Sequence, residues 1–359
     1  MHKTGTTALQ KFFCLNQAVL AENGVWYPQA GRGRNTLAHH DIANSLKGPP
    51  FPLRAPVKSD REYLQEIQDC FNAFPEVLLS SEIFMRFVPA FKDHLSLDLP
   101  MLDKLRLTAD VVKVIIYLRR QDEYLESFYA QEIQHGLDTS FSDFVSQRTP
   151  DYFQLCTQLA GYFGKSNVTV RVYDSKQFSR GSIFSDFLSV LDIELTDSFT
   201  IPAEDVNRSL MPEEREFSML INALDLSLDE RLRFNEPLLK LSQKRRAVRG
   251  RGETATALFS AFERAALLRE CSAANRRVAT EFLGREGPGD LLFQADPEGI
   301  TPATEVYSGL GKEALVDIIG YLQSSYPELF RLLSAGIERG LLSRDTAARK
   351  VARKLREVM

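Results

Sequence analysis

Long apolar runs are missing from this chain of 359 residues. Without about 18 consecutive apolar side chains, no membrane-spanning helix is expected. Cysteine is scarce as well. The four present, Cys14, Cys70, Cys156 and Cys271, lie far apart and form no CxxC pair. That spacing excludes a zinc ribbon or a disulfide scaffold and predicts reduced, mostly buried thiols in a cytoplasmic protein. A basic excess is also lacking: 44 Lys and Arg face 48 Asp and Glu, for a net charge of −4 and a pI near 5.9. A general nucleic-acid binder needs a net basic face, so that class is set aside. No internal repeat, low-complexity tract or signal peptide is visible. What remains is ordinary globular composition, 44% hydrophobic and 26% charged, in a chain long enough for one α/β domain with a helical appendage.

The most informative stretch is the first one, Met1-His2-Lys3-Thr4-Gly5-Thr6-Thr7-Ala8-Leu9-Gln10. A lysine, one glycine and hydroxyls lead into an apolar helical stripe of Leu9, Phe12, Phe13, Val19 and Leu20, interrupted by Asn16. Helix N-termini carry unpaired N–H groups and partial positive charge, so they receive anions. Gly5 allows close backbone approach, Thr6 and Thr7 add hydroxyls, and Lys3 adds a full charge. The nucleoside-triphosphate loop places its lysine after the last glycine; here lysine precedes the glycine. A capped surface helix is the alternative for the string alone.

A second stretch of the same kind lies well downstream. Asp110 to Leu118 is a nearly continuous apolar run, as in a buried parallel strand, and it delivers Arg119 to the strand's carboxyl end. A helix then starts near Asp122 and closes at Gly136, carrying Ser127 in its early turns. A guanidinium fork with a hydroxyl is phosphate-binding chemistry. The alternative is an arginine paired with Asp122 or Glu123.

Lys3-Thr4-Gly5-Thr6-Thr7, continued by Leu9-Gln10 and Gly24-Val25-Trp26-Tyr27-Pro28, resembles the 5′-phosphosulfate loop of the sulfotransferases that use 3′-phosphoadenosine 5′-phosphosulfate (PAPS). Arg119 and Ser127, eight positions apart, match the 3′-phosphate grip of that family. The resemblance spans most of residues 1–295, with Phe282-Leu283-Gly284-Arg285 and Leu291-Leu292-Phe293 resembling the domain's tail. It implies a three-layer parallel sheet flanked by helices, the P-loop NTPase-like sulfotransferase fold, over 1–295, with a helical C-terminal extension over 296–359. The strand that precedes the loop in such folds is expected before Met1, through a start set too late or a truncation.

The same resemblance assigns Lys3, Thr4, Gly5, Thr6, Thr7, Arg119 and Ser127 to the donor, with Lys3 at its bridging oxygen. It implies transfer of a sulfuryl group to a hydroxyl of a carbohydrate or small molecule, with no metal. A nucleotide-dependent kinase and a non-catalytic truncated relative are the alternatives.

Other readings come from the residues themselves. Glu76 to Ser80 is a short apolar strand that places Ser81 and Glu82 at its carboxyl end, where ligands sit in open sheets. Glu82 is the first candidate base and His40 the second; capping of the next helix is the plainer role for Ser81 and Glu82. Adjacent His39 and His40 make no metal site, since neighbours on a helix point apart, and a surface or capping role competes with substrate contact.

A further strand spans 168–174 and a helix 182–191, while residues 8–23, 59–73 and 213–285 read as helical. Asn207-Arg208-Ser209 precedes a helix as either a cofactor-closing loop or a plain N-cap. Lys244, Arg245, Arg246, Arg249 and Arg251 form a basic cluster, read as a solvated loop or a lid. Helices are expected at 312–324, 327–339 and 343–357, the last basic and amphipathic.

Overall fold

The computed structural model describes residues 3–33, 37–47, 58–86, 98–203, 209–249, 258–287, 291–294 and 307–359. Asn207, Arg208, Gly250, Arg251 and Gly252 lie outside the described residues, as do parts of the 31–56 loop.

Along the chain come α1 (Thr6–Leu15), α2 (Gln17–Glu22), β1 (Val25–Trp26), α3 (His40–Lys47), α4 (Asp60–Cys70), β2 (Glu76–Val77) and a 3-10 turn over Glu82–Arg86. Next are α5 (Leu99–Arg106), β3 (Val114–Leu118), α6 (Gln121–Gln134), α7 (Phe141–Arg148), α8 (Tyr152–Phe163), β4 (Val168–Val172) and α9 (Ile183–Val190). The remainder is helical: α10 (Pro212–Asn222), α11 (Leu228–Leu232), α12 (Asn235–Arg249), α13 (Ala261–Leu283), α14 (Lys312–Ser325), α15 (Pro327–Leu342) and α16 (Thr346–Arg356).

The expected three-layer parallel sheet of the P-loop NTPase-like fold is not what the chain forms. Among the described residues there are two separate two-stranded parallel sheets, β1–β2 and β3–β4, in a mainly helical protein. The first ladder pairs only Val25 with Glu76 and Trp26 with Val77. Pro28 and Pro75 flank it, and proline lacks the N–H that a longer ladder needs. The second ladder is in register from Val114 with Val168 to Leu118 with Val172. The apolar run at 110–118 therefore contributes only its second half to a strand, and Val111 stays exposed.

The chain forms two compact units. The first comprises Met1–Tyr124, Gln147–Glu204 and Leu267–Pro297, and the second Leu125–Ser146, Asp205–Ala266 and Glu298–Met359.

In the first unit α1 buries Leu9, Phe12 and Phe13, the stripe visible in the sequence. Phe12 stacks on Phe184 and Phe199 at 4.9 and 5.5 Å, and Phe13 meets Phe187 at 4.9 Å and Tyr27 at 5.1 Å. Such pairs add about 0.5–1.5 kcal/mol each beyond area burial. The helical stretch breaks at Asn16, which is buried yet satisfied. Its amide donates to the carbonyls of Phe12 and Thr200, both at 2.8 Å, and its oxygen accepts from Thr200 N at 2.6 Å.

Asp186 ties β3, β4 and α9 together. It is 2% exposed. Its carboxylate accepts from Tyr117 Oη at 2.7 Å, Arg171 Nε at 3.0 Å, Arg171 Nη2 at 2.6 Å and Ser179 N at 2.9 Å. Removing one partner of a buried charged pair strands the other, at about 3–5 kcal/mol. Asp186→Ala is expected to lose stability in that range in urea unfolding; a loss below about 1 kcal/mol would deny Asp186 this role.

The second unit is helical. Phe217, Ile221, Phe234 and Leu238 pack with Leu315, Ile318, Leu322, Leu333, Ile337 and Leu355. α15 and α16 approach closely at Gly340, where an added Cβ would lie 3.0 Å from Ala352 Cβ. Inside this core Glu214 meets Arg245 at 3.0 Å and accepts from Ser242 Oγ at 3.1 Å. Burial nevertheless outweighs both partners and lifts the Glu214 carboxyl above the usual carboxylate value.

Candidate functional site

The site is assembled in the first unit from four chain segments. The first is the entry to α1. Lys3 has φ 59° and Gly5 φ 75°, both in the left-handed region. For lysine that conformation is strained and persists only where its surroundings fix it. Gly5 is obligatory on two grounds, because an added Cβ would also lie 2.5 Å from Ile183 Cδ1 and 2.9 Å from Tyr173 Cε2. The helical ladder opens with Leu9 N donating to Gly5 O at 3.1 Å. The N–H groups of Thr6, Thr7 and Ala8 thus precede it and have no intrahelical acceptor. Thr4 is buried, whereas Thr7 and Lys3 reach solvent.

Arg119 leaves the end of β3 and meets this loop. Its Nη1 donates to the Lys3 carbonyl at 3.1 Å, its Nε donates to Glu123 Oε2 at 3.2 Å, and its guanidinium lies 5.7 Å from the Tyr173 ring centroid. Tyr152 Oη donates to the Arg119 carbonyl at 2.5 Å and steadies the turn. Arg120 is fully engaged elsewhere, bidentate on Asp122 at 2.7 and 2.9 Å. Lys3 is open on one side, yet enough protein surrounds its ammonium to disfavour the charge. Burial first and the Arg119 guanidinium second push its pKa below the ordinary lysine value, against the pull of Glu82.

The third segment follows β2. Glu82 accepts a hydrogen bond from Thr6 Oγ1 and, at 3.5 Å, from Gln10 Nε2, which also donates to Ser80 Oγ at 3.2 Å. Thr6 and Gln10 share one face of α1 at i, i+4 spacing. Burial alone would raise the Glu82 pKa; the Thr6 hydrogen bond, its own backbone, His40 and Gln10 together reverse that and leave it below the usual value.

The fourth segment carries the two histidines, which part company. His39 is wholly buried. Its Nε2 donates to Pro28 O at 2.9 Å while Nδ1 accepts from Ser80 N at 3.0 Å, and it packs edge-on against Tyr27 at 4.6 Å. It pins the segment before α3 to the one after β2 and offers nothing to a ligand. His40 opens α3 and faces the site, with Nδ1 2.8 Å from Ser81 Oγ and Nε2 3.9 Å from Glu82 Oε2.

Burial depresses the His39 pKa to about 4, from a usual value of 6.5. A depressed histidine contributes stability that is present above the unfolded pKa and is lost as pH falls toward the folded one. That difference corresponds to about 3 kcal/mol between about pH 6.5 and pH 4. His39→Gln is expected to flatten the slope of unfolding free energy against pH across that window; an unchanged slope would contradict the assignment.

The structure therefore brings together Lys3, Thr6, Glu82, His40 and Arg119, with Thr4, Gly5 and Thr7 in the same loop. Ser127 lies on α6 within the second unit and is half-buried. Lys244, Arg245 and Arg246 belong to α12, not to a loop. Lys244 lies 5.0 Å from the Tyr321 ring, Arg245 pairs with Glu214, and Arg246 Nη2 donates to Ser209 O at 2.7 Å. Gln10, read as part of the loop's continuation, and Ser81, read as a residue beyond β2, belong to the site, as do Ser80 and Tyr173, which no motif marked.

Among the described residues no group of three or more His, Cys, Asp or Glu side chains is arranged for a metal ion. Among the same residues no helix is long and apolar enough to cross a membrane. A surface concavity of about 290 Å³ between α4 and α5, lined in part by Asp60, Lys104 and Leu107, contains none of the loop residues.

An uncharacterized protein of Archaeoglobus fulgidus is 29% identical over 179 residues, covering 50% of this chain and 48% of the relative. The chain thus spans about half the length of that relative. No protein-family model and no solved structure matches the sequence.

Proposed function

We propose that the chain binds 3′-phosphoadenosine 5′-phosphosulfate (PAPS) and transfers its sulfuryl group to a hydroxyl of a carbohydrate or small molecule. The observation that supports this best is the hydrogen bond from Arg119 Nη1 to the Lys3 carbonyl, which joins two phosphate-binding patterns separated by 116 positions. Gly5, whose left-handed backbone is packed against Ile183 and Tyr173, fixes the entry to α1, and the N–H groups that follow it suit an anion. These residues suit the donor by their chemistry, independently of any sheet architecture.

In this reading the N–H groups at the start of α1 and the Thr7 hydroxyl hold the 5′-phosphate, and Arg119 takes the 3′-phosphate. Lys3 neutralises charge that grows on the bridging oxygen as the sulfur–oxygen bond breaks. Its lowered pKa rises when an anion arrives, because opposite charge favours the ammonium. A sulfuryl group carries less charge than a phosphoryl group, so one lysine and a helix terminus serve where a kinase uses magnesium. In this reading His40 and Glu82 help to take up the acceptor's proton, and general-base assistance is worth about 10²–10⁴-fold. In the same reading the reduced thiols of Cys14, Cys70, Cys156 and Cys271 suit a cytoplasmic protein.

Calorimetric titration tests the reading. Adenosine 3′,5′-bisphosphate is expected to bind in the micromolar range with EDTA present. Tight binding of ATP with magnesium, and none of the bisphosphate, would favour a kinase; no binding of either would indicate a non-catalytic protein.

A further inference from the structure

Ser81, read in the sequence as a residue beyond β2 or a cap, has its hydroxyl against His40, and His40 in turn faces the Glu82 carboxylate. Ser81 Oγ accepts from Ile83 N at 3.2 Å and lies 2.8 Å from His40 Nδ1, while His40 Nε2 faces Glu82 Oε2 at 3.9 Å. Glu82 is held in turn by Thr6 and Gln10 from α1, the helix whose first turn forms the anion loop.

The direction of this chain turns on which nitrogen of His40 carries the proton. A neutral imidazole carries one N–H. The Glu82 carboxylate, 3.9 Å from Nε2 and acting by charge rather than by a hydrogen bond, favours placing it on Nε2. Nδ1 must then accept, so Ser81 is the donor. A hydroxyl has one hydrogen and two lone pairs. Ser81 gives the hydrogen to His40 and one lone pair to Ile83 N–H, and the second lone pair is left for an incoming O–H. His40 cannot take a proton from an acceptor directly at Nδ1, because Ser81 stands in front of it.

We propose that Ser81, His40 and Glu82 act as one proton relay, with Ser81 Oγ as the member that meets the acceptor hydroxyl. This deepens the sulfotransferase reading and rests on it. As the acceptor oxygen forms its bond to sulfur, the bond from sulfur to the phosphate oxygen breaks. The acceptor's proton passes to Ser81 Oγ and the Ser81 proton passes to His40 Nδ1. The imidazolium is stabilised by Glu82 and returns its proton to water after the products leave. The same oxygen of Ser81 is a proton donor and acceptor throughout and forms no covalent intermediate.

Two measurements on the full chain test the relay. Histidine labelled with 15N reports the tautomer without any nucleotide. His40 is expected with Nε2 protonated and Nδ1 bare, and in Ser81→Ala the Nδ1 resonance should shift. Release of adenosine 3′,5′-bisphosphate from PAPS, with water as the acceptor, reports turnover. Ser81→Ala is expected to lower it about 10²-fold with the bisphosphate affinity unchanged, and Ser81→Thr, which keeps the hydroxyl, should restore most of it. Should Ser81→Ala fail to fold, the wild-type tautomer and the threonine variant still decide.

A wild-type His40 protonated at Nδ1 would overturn the relay. So would a Ser81→Ala enzyme that binds the bisphosphate and turns over at the wild-type rate. Failure of the wild type to bind the bisphosphate would instead bring down the nucleotide reading, and the relay's part in it, whatever the tautomer.

Discussion

Arg119→Ala is expected to weaken adenosine 3′,5′-bisphosphate by about two orders of magnitude or more. A hydrogen bond to a charged group contributes about 1.5–3 kcal/mol, and a guanidinium fork on phosphate makes two. The substitution also removes the Nη1 contact that holds the Lys3 carbonyl, so the loop proposed to hold the other phosphate loses a brace. Arg119→Lys separates the two contributions. It keeps the charge but not the fork, and should fall between alanine and wild type. The β3–β4 ladder and the Asp186 cluster do not involve the Arg119 side chain, so folding should survive the change. Titration of the three proteins under one salt condition checks this, and equal affinity in all three would remove Arg119 from the phosphate site.

Gly5→Ala has the second large effect, and it acts through the backbone. At φ 75° an L-residue pays about 1–2 kcal/mol for the left-handed conformation. The new methyl would also meet Ile183 Cδ1 at 2.5 Å and Tyr173 Cε2 at 2.9 Å, so one of them must move. Overpacking of this kind costs about 1–3 kcal/mol. The expected sum is about 2–5 kcal/mol of stability, accompanied by loss of bisphosphate binding as the loop moves off its cradle. Shortening the facing side chain in Gly5→Ala/Ile183→Val should return part of the stability, because the clash is local, but not the φ cost. A Gly5→Ala protein with wild-type melting and wild-type affinity would show that the cradle is dispensable.

How much of this was legible beforehand differed by element. The Leu9, Phe12, Phe13 stripe announced α1, and the buried aromatic partners it needed are those it found. The helices at the C-terminus followed their apolar periodicity and end at α14, α15 and α16 close to the expected bounds. The sheet did not follow, because apolar runs mark burial without saying which strand lies alongside. Val111 and Val112 continue the run that becomes β3, yet the ladder starts only at Val114.

Within the site, Arg119 was visible as a cation at the end of a strand, and Lys3 and Gly5 as a loop ahead of a helix. The division between His39 and His40 was not, since identical side chains at adjacent positions differ only in what tertiary packing puts beside them. Ser80 N and Pro28 O bury the first, while Ser81 and Glu82 present the second to the loop. Asp186, which ties the second sheet to α9, carried no sequence signal, because its partners Tyr117, Arg171 and Ser179 come from three other segments.

The central claim is that one doubly phosphorylated adenosine is held jointly by the Lys3 loop and Arg119. Acylation of Lys3 by an N-hydroxysuccinimide ester, read by peptide mass spectrometry, addresses it most directly, because the lowered pKa of Lys3 leaves more free amine than an ordinary lysine has at the same pH. Saturating adenosine 3′,5′-bisphosphate is expected to slow that acylation about tenfold or more, by shielding the amine and restoring its proton, and Arg119→Ala should abolish the protection at the same nucleotide concentration. Lys3 reacting at the same rate with and without the bisphosphate, while the bisphosphate demonstrably binds, would place the nucleotide elsewhere and contradict the account.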